Sequence, residues 1–278
     1  MSTNNSLFGG DSPATIFHIG DRSLALPAFS VREMIAMPPV TPVPRTPPWV
    51  RGAFNLRGRL IPVVDLRVKL GMRPLEEELN DLVQLLGERQ KDHLNWLEEL
   101  EASVREGREF RLATDPTKCK FGRWLAGFHT NNPLLQQLLG RFSEPHQGIH
   151  AIAIEVGHLI TRNDNEAALK TINNARHGLL DEMIRLFERT RTMLRETTRE
   201  IAIVLEHDDV EFAISIDTVD GVEHLAAKTI EELPNMLGGL DEDVFAGAAR
   251  RERDGSVVLL LDLGALLPTI TEKMAQSA

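Results

Sequence analysis

Three histidines and the single cysteine of this chain carry side chains that could hold a metal ion. His146 and His150 stand four apart in HQGIH, so on a helix they share one face and can chelate one ion. His93 falls on the apolar stripe of a long helical pattern, and Cys119 begins a short amphipathic piece within KCKFGRWLAGF. Three imidazoles and one thiolate make a complete tetrahedral set for Zn²⁺, a borderline-soft ion that accepts nitrogen and sulfur. Each residue also has an ordinary explanation. A histidine pair at this spacing arises often by chance, and a lone buried cysteine usually just packs. Spacing alone leaves both open. His129, His158, His177, His207 and His224 read as surface or ordinary polar residues.

The same residues limit the chemistry. HQGIH lacks the glutamate of HExxH, which is the general base of a zinc protease. Four protein ligands also leave no open position for water or substrate, so hydrolysis is not expected. A coordinated thiolate is a different matter, because coordination keeps it deprotonated and reactive. Oxidation of Cys119 to a sulfenic acid would weaken sulfur ligation, which makes Cys119 the expected redox switch. The sequence has no P-loop, no GxGxxG and no Ser–His–Asp logic, and an enzyme is not expected.

Positioning such a set requires helices, and the middle of the chain supplies them. From about Leu75 to Arg199, Leu79, Leu82, Leu86, His93, Leu97, Leu100 and Val104 keep a spacing of three and four. A loop with Thr114, Asp115 and Pro116 follows. Leu134 to Ile160 and Ala167 to Leu194 give two further amphipathic runs, the pattern of an up-and-down bundle. The flanks have β texture. Short extended pieces at Ile16, His18 and Leu24 to Leu26 precede an expected helical stretch, Val31 to Met37. The proline-rich PPVTPVPRTPPWV should be extended, and Leu60 to Val64 reads as a strand. After Glu200, two alternating strands flank His207–Asp208–Asp209, and Val257 to Leu261 should form a hairpin with Val244 to Arg250. Two β segments around an all-α block indicate one discontinuous β domain. Asp65 and Arg67, alternate residues of a strand, are expected as an exposed ion pair of little energetic weight.

Composition agrees with a folded protein: 42% hydrophobic and 26% charged residues. A formal charge of -10 argues against a nucleic-acid grip. No apolar run approaches bilayer length, and the start lacks the features of a secretory signal. One cysteine fits a reducing, cytoplasmic setting. Glu76–Glu77–Glu78 reads as a solvated helix start, and the first twelve residues as disordered.

Two resemblances sharpen this reading. DHLNWLEEL, CKFGRWL and HQGIH together resemble the chemoreceptor zinc-binding (CZB) domain, with its ordered HxxW, CxFGxW and HxxxH. That resemblance implies His93, Cys119, His146 and His150 as zinc ligands, with Trp96, Gly122 and Trp124 packed around them. WVRGAFNLRGRLIPVVDLRVKLGM resembles the signature of CheW-like domains, KGxxNLRGxxxPxxDLRxxxG, with Arg51 in the lysine place. It implies two small SH3-like β-barrels, the second opening at IAIVLEHDDVEFAISIDTVDGVEHL. It also implies receptor contact through Arg57, with Asn55 of the same motif and Val31 and Glu33 of the preceding helix as further partner-binding residues.

The expected fold is α+β and multidomain: a CheW-like double β-barrel over residues 13–73 and 199–270, interrupted at 74–198 by a zinc-binding four-helix bundle. The expected function is a chemotaxis adaptor, cytoplasmic and associated with receptor arrays. It would couple the cytoplasmic tip of a chemoreceptor to the regulatory domain of a CheA-type histidine kinase, and a homodimer through the bundle is a further expectation. The alternatives are a zinc storage or scavenging protein, or a constitutive scaffold whose zinc is purely structural.

Overall fold

The structure, a computed structural model, describes residues 8, 12–130, 132–197, 200–231 and 244–266. It divides into a β-rich unit, residues 1–78 with 199–278, and a helical unit, residues 79–198. The order of elements is therefore that of a β domain with a helical insert.

In the β-rich unit the chain runs through β1 (Ser12–Ile19), β2 (Arg22–Pro27), β3 (Val31–Ala36), β4 (Val50–Leu56), β5 (Arg59–Asp65) and the single-turn α1 (Leu66–Lys69). Gly20 takes a left-handed conformation at the β1–β2 turn, as the Gly–Asp pair there predicts. The segment expected as a helix, Val31 to Met37, is instead strand β3. Its half-buried and exposed residues alternate strictly, and it pairs antiparallel with a strand that lies beyond the insert. Six residues of mixed propensity are too few to set a period by themselves, and the distant partner decides. The proline-rich segment carries no regular element before β4 begins at Val50, only one bridge from Thr41 to Ala53.

After β5 and α1 comes α2 (Leu75–Glu106), a single helix of 32 residues that starts in the β-rich unit and continues into the helical one. Its first turn holds Glu76, Glu77 and Glu78, where carboxylates complement the helix dipole. Left-handed Gly107 follows its end. The helical unit continues with α3 (Lys120–Gly127), α4 (Pro133–Gly140), α5 (Ser143–Thr161), α6 (Asn165–Ala175) and α7 (Asp181–Thr197). The apolar run from Leu134 to Ile160 divides into α4 and α5 around Arg141 and the fully buried Phe142. Asn132 caps α4 with Pro133 at its first position, and Asp164 caps α6. A π-helical segment, Arg176–Leu180, joins α6 to α7. The core of this unit gathers Leu86, Trp96, Leu97 and Leu100 of α2 with Phe121, Phe142, Ile149, Met183 and Phe187.

The chain returns to β structure with β6 (Ile201–His207), β7 (Val210–Ile216), β8 (Thr218–Leu225), β9 (Ile230–Glu231), β10 (Phe245–Arg250) and β11 (Val257–Leu261), then the single-turn α8 (Leu263–Leu266). One sheet has the order β8-β1-β2-β11-β10-β9 and the other β3-β6-β7-β5-β4. Among the described residues neither order closes on itself. Both sheets mix strands from before and after the insert. β6 and β7, expected to open a second barrel, instead join β3 and β5. Phe17, Leu24 and Leu26 of one sheet and Ile203, Leu205, Phe212 and Ile214 of the other share a core.

The expected hairpin of β10 with β11 forms. Asp65 and Arg67 do not form an exposed pair: both are buried. Strand β5 stops at Asp65, whose carboxylate caps α1 by accepting from the Val68 amide at 3.0 Å. The helical turn then carries Arg67 inward instead of along a strand face. Of the first twelve residues, Phe8 is buried beside Ala14, Ile16 and Leu260. Residues 1–7 and 9–11 lie outside the described residues, as does 267–270 of the expected β domain.

Candidate metal centre

His93, Cys119, His146 and His150 come from three places in the chain and meet in the helical unit, with one ligand atom from each within 4.8 Å of all the others. His93 faces the core from the middle of α2. His146 and His150 lie one turn apart on α5, and their ring centroids are 4.9 Å apart. Cys119 is the N-cap of α3, and its Sγ accepts from the Gly122 amide at 3.2 Å and lies 3.2 Å from His146 Nε2. His93 and His150 are essentially inaccessible, His146 nearly so, and Cys119 is half-buried.

Hydrogen bonds settle which imidazole nitrogen is available. His93 Nδ1 lies 2.7 Å from the Arg89 carbonyl and His150 Nδ1 lies 3.1 Å from the Ala113 carbonyl. A carbonyl can only accept, so both rings carry hydrogen on Nδ1 and present a bare Nε2. Both Nε2 atoms are buried without a hydrogen-bond partner. A buried polar atom left unmatched costs about 1–3 kcal/mol, so two of them facing a third imidazole and a thiol suit a cation. Nitrogen and sulfur donors in this number fit zinc.

Electrostatics favour the same state. Burial, with the neighbouring His93 and His150, lowers His146 to about 3. Burial first, then His93, lowers His150 to about 4, and burial lowers His93 as well. All three rings are neutral near pH 7, as ligation requires. Burial raises the Cys119 thiol, against the pull of the Gly122 and Phe121 amides. A bound cation would reverse that balance and hold the thiolate.

The surrounding residues are placed by specific contacts. Trp96 Nε1 donates to the Ala113 carbonyl at 2.8 Å, so one carbonyl of the α2–α3 loop anchors both Trp96 and His150. Trp96 also packs on His150, with centroids 5.0 Å apart, and on Phe110. A Cβ on Gly122 would stand 1.9 Å from the Pro116 carbonyl oxygen, so only glycine lets that loop close over the start of α3. Trp124 is half-buried and stacks on Phe121, which in turn packs edge-on against His93 and His146. Ala113, Phe110 and Phe121 were not singled out in the sequence. A backbone carbonyl leaves no residue signature and Phe110 stands among charged residues, whereas Phe121 fills the phenylalanine place of CxFGxW and could have been read from it.

The expected partner-binding residues lie in the β-rich unit, and only some of them meet. Arg57 and Gly58 form the two-residue turn from β4 to β5, both with positive φ, the geometry of a type I′ hairpin. The Asn55 carboxamide accepts from the Gly58 amide at 2.8 Å, which gives Asn55 a turn-forming role. The Arg57 side chain is 76% exposed and reaches Glu33 at 3.0 Å. Glu33 and Val31 sit on strand β3, not on a helix, and Val31 packs toward the shared core.

A family model of the CheW-like domain matches residues 13–91 and 180–271, and one of the chemoreceptor zinc-binding domain matches residues 93–156. The first match therefore runs into α2 and α7, and the second begins at His93. A probable chemotaxis protein CheW of Rhizobium etli is 35% identical over 86 residues, 31% of this chain and 56% of that protein. A chemotaxis protein CheW of Rhizobium meliloti is 34% identical over 77 residues, 28% and 50% of the two chains. One of Helicobacter pylori is 42% identical over 57 residues, 20% and 34% of the two. The chain spans about half the length of the first two of these relatives.

Proposed function

Because this chain belongs to the CheW-like domain family and carries a chemoreceptor zinc-binding domain set into it, we propose that it is a non-enzymatic signalling adaptor with a zinc-holding insert. In this reading it couples the cytoplasmic tip of a chemoreceptor to the regulatory domain of a CheA-type histidine kinase within membrane-associated arrays. The relatives' names as chemotaxis proteins support the pathway. One observation carries the metal: four donor atoms from α2, α5 and the cap of α3 converge within 4.8 Å, with two buried imidazole nitrogens unmatched.

His93, His146 and His150 hold their Nε2 atoms toward the site, and Cys119 supplies the sulfur. Zinc, when bound, would keep the Cys119 thiol deprotonated. The chain then determines reactivity. Half-buried Cys119 stays open to a small oxidant such as hypochlorous acid or peroxide, while the buried rings are shielded. Oxidation to the sulfenic acid removes a good sulfur donor and frees the cap of α3. Arg57, exposed and paired only at the surface with Glu33, is the first candidate for the receptor contact. A zinc store would have to exchange its ion readily, and rings this buried favour retention.

The test is metal content per chain, measured on tag-free protein, together with kinase activation in reconstituted receptor arrays. One zinc per chain, lost in Cys119→Ser or His150→Ala, and an activity that changes on zinc removal or peroxide treatment support the reading. Absence of zinc after loading under reducing conditions refutes the metal site. Equal activity with zinc, without it and after oxidation leaves a constitutive scaffold.

A further inference from the structure

Two arginines of the signature sequence sit where the insert leaves and re-enters the β-rich unit. Arg67 is buried, its side chain 3% exposed, and it uses its guanidinium on three sides. Nε donates to the Arg73 carbonyl at 2.9 Å, Nη1 to Asp217 at 2.5 Å, and Nη2 to Glu78. Glu78 lies in the first turn of α2 and is the last residue of the β-rich unit before the helical one. Asp217, between β7 and β8, also accepts from the Gly20 amide at 2.7 Å. Arg51 on β4 repeats the pattern. Its Nη1 donates to Glu200, just before β6, and its Nη2 lies 4.0 Å from Glu76 of the same first turn. The Glu200 carbonyl is itself held by the Met37 amide at 2.9 Å.

Each arginine therefore joins a carboxylate at the start of the insert's first helix to a carboxylate of the segment that follows the insert. Two of these pairs, Arg67–Asp217 and Arg51–Glu200, differ from ordinary surface pairs, which carry little energy, whereas Glu76 and Glu78 on the α2 side remain 76% and 42% exposed. Burial pushes the Asp217 and Glu200 carboxyls up against the pull of their arginines. Charges this desolvated depend on their partners, because removing one leaves the other uncompensated. The solvated helix start expected at Glu76–Glu78 is thus partly engaged.

We propose that Arg51 and Arg67 form a clamp at the junction of the insert, through which the state of the bundle is felt by the β-rich unit. α2 runs unbroken from Glu76 and Glu78 to His93, so a change in how the bundle holds α2 reaches both arginines through one helix. From there it passes to β4, to α1 and to the β7–β8 junction, which carry Arg51, Arg67 and Asp217. The proposal rests on the adaptor reading only for zinc as the natural input; the mechanical link needs no metal.

The experiment is hydrogen exchange on the full chain, comparing wild type with Leu97→Ala, a truncation in the bundle core. Both are repeated with the clamp cut by Glu76→Gln and Glu78→Gln, exposed enough to leave folding intact. With the clamp intact, Leu97→Ala should speed exchange of the β4, β5 and β7 amides by about tenfold. With the clamp cut, that response should fall to about twofold or less while α2 beyond its first turn remains protected. No response in the intact chain, or an equal response in both, overturns the proposal. The same comparison with and without zinc adds the natural input. A protein that binds no zinc refutes the functional reading, while the Leu97→Ala comparison still decides the clamp.

Discussion

Acidifying the zinc-free protein should destabilise the helical unit well before its carboxylates titrate. In the unfolded chain His146 and His150 bind protons near pH 6.5, whereas in the folded unit burial holds them to about 3 and about 4. Between those limits the unfolded state binds more protons, so stability is full above about pH 6.5 and falls as pH drops. At pH 5 each ring costs about 2 kcal/mol relative to neutral pH, or about 4 kcal/mol for the pair. His93, shifted the same way by burial, adds to the loss. A domain with a stability of roughly 5–15 kcal/mol will show this plainly. The assay is urea denaturation of chelator-treated protein at pH 7 and pH 5, followed by the fluorescence of Trp96 and Trp124. Trp49→Phe silences the reporter in the β-rich unit. The slope with urea should stay constant while the midpoint falls, and His146→Gln with His150→Gln should flatten the pH dependence. An unchanged midpoint between pH 7 and pH 5 would show that these rings are solvated, and the argument from orphaned nitrogens would collapse with it.

Other changes have more local consequences. Gly122→Ala should drive the Pro116 carbonyl off the start of α3, destabilise the unit by about 1–3 kcal/mol and weaken zinc binding in a chelator competition. Unaltered affinity would mean that the loop yields freely. Trp96→Phe removes the indole hydrogen bond to Ala113 but keeps most of the packing, so a loss of about 1 kcal/mol is expected in thermal or urea unfolding. Arg57→Gly should relieve a left-handed arginine and stabilise the β-rich unit by about 1 kcal/mol while weakening receptor co-sedimentation. Retained co-sedimentation would remove Arg57 from the interface.

What was legible in the sequence is what repeats at short range. His146 and His150 lie on one face of α5 because four residues make about one helical turn, and His93 follows the buried stripe of α2 by the same periodicity. The strands β6 and β7 and the hairpin of β10 and β11 announce themselves by alternation and turn residues. The four candidate ligands and the β–α–β order of the chain were readable through ordered motifs, each a record of local geometry. Tertiary structure decided the rest. Val31–Ala36 is a strand because β6, beyond the whole insert, offers it a ladder. Arg67 is buried because β5 ends at Asp65 and the next turn is helical, which the apolar run Leu60–Val64 before it does not announce. Ala113 and Pro116 shape the candidate metal centre through backbone carbonyls, groups that every residue carries. Glu78 and Glu200 look like any surface glutamate until folding brings the two junctions of the insert to the same pair of arginines. Periodicity tells a residue which way to face, but only the packed chain determines what it meets there.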